Sequence, residues 1–169
     1  MQSLISYVNE KFKDKPAKLK VAKLLMFNGL SVKDKSIFCN EVEVPYASVA
    51  RAAGVDQRVV KSLIEDISSD SFLSSAFSKF RATLNLVELA PALGYGVVEI
   101  TAVNPKEEGI VAAVASAIAS EKLSIKQVIS EDPELFEEPK LYIITDGPIP
   151  EKIIGELKKI GKIKSITIY

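Results

Sequence analysis

The stretch VPYASVARAAGVDQRVVKSLIEDI, residues 44–67, decides the reading of the N-terminal half. Two runs with helical apolar spacing, 45–53 and 57–67, flank the tripeptide Gly54-Val55-Asp56. Pro45 suits a helix start, Gly54 a tight turn and Asp56 the N-cap of the second helix. Val55 would tuck its side chain between the helices. Val49, Ala50, Ala53, Val60, Leu63, Ile64 and Ile67 supply the buried face, and the two alanines allow close approach. This spacing predicts a helix-turn-helix.

Upstream of that motif, residues 3–12 read as a short helix, and Pro16 opens a second one ending near Asn28-Gly29. Residues 36–44, SIFCNEVEV, close in an alternation that predicts a strand, so the unit is helical with or without a wing. Downstream, residues 68–93 give no single reading. Phe72, Leu73, Phe77 and Phe80 suit another helix, while RATLNLVEL fits a strand or an irregular connection. The Pro- and Gly-bearing stretch 90–96 marks a boundary, placing one domain at 1–93 and a second at 94–169.

The second domain reads as strand 97–103, helix 109–122, strands 124–130 and 140–145, a helix opening at Pro150, and a closing strand KIKSITIY. That order is a ferredoxin-like βαββαβ arrangement, and the whole chain is α+β. Val98, Ile100 and Ala102 share one face of the first strand, leaving Glu99 and Thr101 on the other. The helix from Ile110 to Ser120, IVAAVASAIAS, carries no charge at all. Its outer positions Ala112, Ala115, Ser116 and Ala119 are small where charges are usual, which predicts packing against another helix.

Composition narrows the chemistry. The chain has one cysteine and no histidine, so disulfides within the chain and His-dependent catalysis are excluded and a structural zinc site is not expected. Asp132, Glu134, Glu137, Glu138 and Asp146 are scattered through loops and read as solvated charges rather than a catalytic pair. No catalytic residue, metal site or cofactor is expected. There is no signal peptide and no membrane-spanning run, so the expectation is a cytoplasmic protein. Net charge is zero, but residues 1–93 carry thirteen Lys/Arg against ten Asp/Glu and the remainder nine against twelve. The sign of that asymmetry suits an N-terminal half that meets phosphates.

On the second helix of the motif, Gln57, Arg58 and Lys61 lie at the end that would enter a major groove. Gln pairs with adenine edges and Arg with guanine. Ser48 and Arg51 on the preceding helix are placed for the phosphate backbone. The lysine run 11–23 is either further phosphate contact or a solvated helix face. In the C-terminal half, the loop Asn104-Pro105-Lys106-Glu107-Glu108-Gly109 delivers the chain to a helix N-terminus, which offers unpaired N–H groups to a carboxylate. Glu107 and Glu108 count against an anionic ligand, and either favour an amine or serve as ordinary first-turn charges.

With those residues in view, VVEITAVNPKEEGIVAAVASAIASEKLSIKQV (97–128) resembles the ACT domain, a ligand-sensing regulatory module. The resemblance spans about 96–169. The loop lacks the family's Asp-Arg-Pro-Gly form, with Asn104 where an Asp often stands and Gly109 at the Gly position. The whole chain is similar to archaeal regulators of amino-acid metabolism that join an N-terminal helix-turn-helix region to a C-terminal ACT domain. The resemblance implies ligand contacts at Asn104, Gly109 and Ile110, with Ser124 and Ile125 from the facing second strand. It implies an amino acid or related metabolite as effector, double-stranded DNA as a second partner, and a homodimer or higher homo-oligomer. The alternative is a regulatory subunit that does not bind DNA and contacts a metabolic enzyme.

Overall fold

The computed structural model describes residues 3–169, and the chain divides into two compact units between Leu84 and Asn85. The N-terminal unit runs α1 (Leu4–Lys11), α2 (Pro16–Phe27), β1 (Ser31–Lys33), β2 (Ser36–Cys39), β3 (Val42–Val44), α3 (Tyr46–Ala53), α4 (Gln57–Ser69) and α5 (Ser71–Phe77). Ser3 caps α1 by accepting from the Ser6 N–H at 3.3 Å, and Pro16 stands in the first turn of α2. The expected strand at 36–44 is two strands. Asn40 enters the left-handed region (φ 55°) and breaks the run, so β2 and β3 pair with each other, Ile37 opposite Val44. With β1 they form an antiparallel sheet in the order β1-β2-β3. This sheet precedes α3. No hairpin follows α4, because Asp70 ends that helix and caps α5, accepting from the Leu73 N–H at 2.9 Å.

One core holds the unit together. Val60, Leu63, Ile64 and Ile67 of α4 are all buried, the i, i+3, i+4, i+7 stripe of an amphipathic helix. They pack with Val8, Phe12, Leu25, Ile37, Leu73 and Phe77. Asp70 ties the periphery to this core. Besides the α5 cap, it accepts from the Tyr7 hydroxyl at 2.8 Å and from the Lys11 ammonium. Burial opposes its ionisation, but the hydrogen bonds from Lys11, the Leu73 N–H and Tyr7 prevail and hold its pKa at about 2.

The C-terminal unit contains β4 (Gly96–Ala102), α6 (Ile110–Ser120), β5 (Ile125–Ser130), β6 (Lys140–Thr145), α7 (Glu151–Lys158) and β7 (Ile163–Ile168). The sheet order is β5-β6-β4-β7, with antiparallel neighbours throughout, which is the ferredoxin-like arrangement the element order predicted. Val98 opposite Ile143 and Ile100 opposite Leu141 face the helices and pack on Ile110, Val114, Ile118, Ile153 and Leu157.

The other face is not bare. Residues 85–95 strap across part of it, with Leu86, Val87, Ala90 and Tyr95 on Val97, Tyr142 and Ile144. The Leu86 N–H donates to the Gln127 side chain at 3.0 Å. This is why the division falls after Leu84 and ahead of the turn at Gly94. The strap is held by side chains of the sheet rather than by a ladder, so it carries no periodic signature. Beyond the strap, Glu99 accepts from Lys140 at 2.6 Å and from the Tyr169 hydroxyl at 3.0 Å.

Candidate functional site

In the helix pair, Gly54 takes a left-handed conformation (φ 64°) and its N–H bonds the Arg51 carbonyl, while the Val55 N–H bonds Ala50 at 3.0 Å. Val55 packs against the core from the turn. Asp56 caps α4, accepting from the Arg58 N–H at 2.8 Å. All these roles were legible in the sequence.

Arg51, Gln57, Arg58 and Lys61 are exposed, and Ser48 is half-buried. Gln57 and Lys61 are one turn apart on the same flank of α4, beside the buried stripe. Glu65 lies one turn further on. Arg58 is not idle: its guanidinium donates to both Asp56 oxygens, at 3.0 and 3.3 Å. That pairing, led by the side-chain hydrogen bond, lowers the Asp56 pKa and raises that of Arg58. The pair is exposed, so solvent competes for it.

Within the basic run, Lys11 pairs with Asp70, Lys13 with Glu10 and Lys18 with Asp66. Lys20 differs, because a Cβ placed on Gly54 would lie 3.6 Å from its Nζ. It therefore brings a cation to the turn of the motif. Helical spacing could not single it out, since it depends on how α2 crosses α3.

In the C-terminal unit, Gly109 (φ 85°) occupies the N-cap of α6 and offers no side-chain acceptor to the first helical N–H groups. A cavity of about 460 Å³ opens there. Gly109, Ile110, Val111 and Ala115 form one wall, and Ser130, Glu131 and Pro139 the other. Asn104 folds back on its own loop, its Oδ1 accepting from the Lys106 N–H at 3.1 Å. Lys162 holds the loop from outside, reaching Glu107 at 3.0 Å and the Glu108 carbonyl at 2.9 Å. Lys140 borders the cavity, but its ammonium is committed to Glu99.

Ser124 and Ile125 lie elsewhere. Ile125 pairs with Thr145, which pairs with Gly96, whereas the loop leaves the sheet at Ala102. The two groups are thus separated by the length of β4, roughly 20 Å. Within one chain the structure brings together Gly109 and Ile110 but not Ser124 and Ile125. The residues across the cavity are Ser130 and Glu131, at the opposite end of β5. A signal for them existed: both β4 and β5 run antiparallel to β6, so their C-terminal ends lie together. No group of His, Cys, Asp and Glu among the described residues is arranged to hold a metal ion. No helix among them is long and apolar enough to cross a membrane.

No protein-family model and no curated protein matches the chain. Among solved structures, the CheA P2 domain bound to CheY from Thermotoga maritima is 16% identical, over 45% of this chain and 95% of that one, with a TM-score of 0.36. AsnC of E. coli is 14% identical over 92% and 89% of the two chains, with a TM-score of 0.25. A transcriptional regulatory protein of Pyrococcus furiosus, a member of the AsnC family, is 10% identical over 100% and 88%, with a TM-score of 0.27. These likenesses are distant. What places the chain is its own topology: a helix-turn-helix unit followed by a ferredoxin-like unit in the strand order β5-β6-β4-β7.

Proposed function

We propose that the chain is a DNA-binding regulator whose C-terminal unit senses an amino acid or a related metabolite. The observation that carries this reading is the polar end of α4. Gln57, Arg58 and Lys61 stand exposed there, with Arg51 on the preceding helix, over a stripe that is otherwise buried. That is the layout a recognition helix needs to put side chains on base edges while its neighbour meets the backbone. Ser48 joins Arg51 in the phosphate role, and Lys20 adds charge beside the turn.

The ligand half of the proposal rests on the cavity at α6. The uncapped helix start suits a carboxylate, and Glu131 suits an ammonium, so a zwitterion matches both. Asn104, Gly109 and Ile110 would serve it from the loop. Ser124 and Ile125 would reach the same ligand only from a second copy of the chain. A homodimer through an edge strand, β5 or β7, fits that requirement and would also present two recognition helices. Ligand would then bias DNA binding by its different affinity for two arrangements of the dimer.

The test is a fluorescence-anisotropy titration of a random duplex pool at low salt, followed by selection of the bound sequences. Saturable, salt-sensitive binding is expected, and Arg58→Ala should cost about 1–3 kcal/mol on a selected site. A wild-type chain that binds no duplex at low salt would overturn the DNA assignment. It would favour the second reading, a regulatory subunit that contacts a metabolic enzyme through this surface. That reading draws on the Asp56–Arg58 pair, which already occupies the arginine.

A further inference from the structure

The N-terminal unit contains a cavity of its own, about 680 Å³, that shares Ser48 with the reading above and is otherwise unused by it. Its walls are the last turn of α2 (Leu24, Phe27), Cys39 and Val44 of the β2–β3 hairpin, and Val49 and Ala52 of α3. The stretch Arg81–Thr83 completes its rim, and the space stays open to solvent. That stretch has no regular secondary structure, yet it is fixed. Asn40 brackets Ala82 with two hydrogen bonds, side-chain amide to carbonyl and N–H to side-chain oxygen, each 3.1 Å. Gly29 (φ 61°) lets the same stretch lie directly on the end of α2, where a Cβ would run into the Arg81 carbonyl. The space is therefore preformed, and its volume lies in the range of small-molecule sites.

Its chemistry is asymmetric. The lining is more apolar than polar, and Arg81 is the one charged residue in it. The guanidinium meets Glu41 at 3.5 Å with both side chains largely exposed, 70% and 82%, so this pair yields easily to a better anion. Ser48 and Thr83 also line the cavity. We propose that this cavity binds an amphipathic monocarboxylate, its tail among Leu24, Cys39 and Val49 and its carboxylate on Arg81. Ser48, Val49 and Ala52 belong to α3, so the helix-turn-helix is itself a wall of the site and its occupancy is felt there directly. The proposal does not depend on the amino-acid site at α6, and its readout lies within the N-terminal unit.

Cys39 is the chain's one thiol, half-buried in the lining, and reports on the site. The experiment follows alkylation of Cys39 in the full chain by neutral iodoacetamide, with decanoate as the probe below its micellar concentration. At about ten times its Kd, decanoate leaves about a tenth of the sites free, so alkylation should slow about tenfold. Decyltrimethylammonium, with the same tail and opposite charge, should not protect. Arg81→Gln should weaken protection by decanoate. Ala52→Trp, a change at an exposed position, should fill the cavity and slow alkylation without any probe. Absence of protection by decanoate would overturn the proposal. So would equal protection by the ammonium probe, or protection unchanged in Arg81→Gln. Alkylation that slows with protein concentration alone would show a second copy covering the cavity and would also overturn it.

Discussion

Replacing Asp70 by Asn removes one charge and leaves an oxygen that can still accept from the Leu73 N–H, so the cap of α5 survives while the bonds to Lys11 and Tyr7 weaken. The magnitude follows from the acidity of the carboxyl, held at about 2 against an ordinary 3.8. At 1.36 kcal/mol per pH unit this amounts to roughly 2 kcal/mol. Lys11 is 33% exposed, and solvent screening trims the figure to about 1.5 kcal/mol. Because the folded-state pKa is depressed, the stabilisation is complete above the ordinary pKa and is lost as pH falls from 3.8 towards 2. Urea unfolding of wild type and Asp70→Asn, followed from neutral pH to the lowest pH at which both still fold, measures this. The variant should be less stable by about 1.5 kcal/mol at neutral pH, and the gap should close in acid. A gap that stays constant across that range would refute the argument, because the lost stability could not then come from the charge. So would a variant as stable as wild type at neutral pH.

Two further predictions concern backbone and assembly. Gly29 and Gly54 share a left-handed conformation, but a Cβ at Gly29 collides with backbone whereas one at Gly54 meets only the Lys20 side chain. Gly54→Ala should cost about 1–2 kcal/mol for the conformation alone. Gly29→Ala should cost clearly more in the same urea assay, and equal costs would remove the close approach from the account. On α6, Ala119→Glu places a charge among small outer residues, away from the cavity wall. If that face joins two chains, the mass by light scattering should fall and the Tm with it, whereas an unchanged mass and Tm would exclude the face from the interface.

Much of the fold was legible because its signals are local. Gly54, Val55 and Asp56 each have a role set by adjacent residues, and α4 advertises its buried side through Val60, Leu63, Ile64 and Ile67. The strand and helix order of the C-terminal unit was read for the same reason. What escaped depends on residues far apart in sequence. Strand β1 (Ser31–Lys33) is too short to show a period and exists because β2 pairs with it. Residues 81–95 are held by Asn40 and Gln127, some forty positions away in each case. The candidate DNA residues lie on α3 and α4 as their spacing predicts, whereas the engagement of Arg58 by Asp56 and the approach of Lys20 to Gly54 depend on rotamer choice and helix crossing, which spacing does not encode. For the ligand, Gly109 and Ile110 are legible from the loop. Ser130 and Glu131 are not, because their place beside that loop is set by the pairing of both β4 and β5 with β6.

The strap across the sheet has a consequence for the connection between the units. Ala82 is pinned by Asn40 within the first unit, and Leu86 by Gln127 within the second. Only Thr83, Leu84 and Asn85 lie between these fixings. Four Cα steps of 3.8 Å reach at most about 15 Å, so the join is a leash of three residues rather than a tether. Glycine-serine residues inserted after Leu84 should leave the stability of each unit intact and blunt any influence of one on the other.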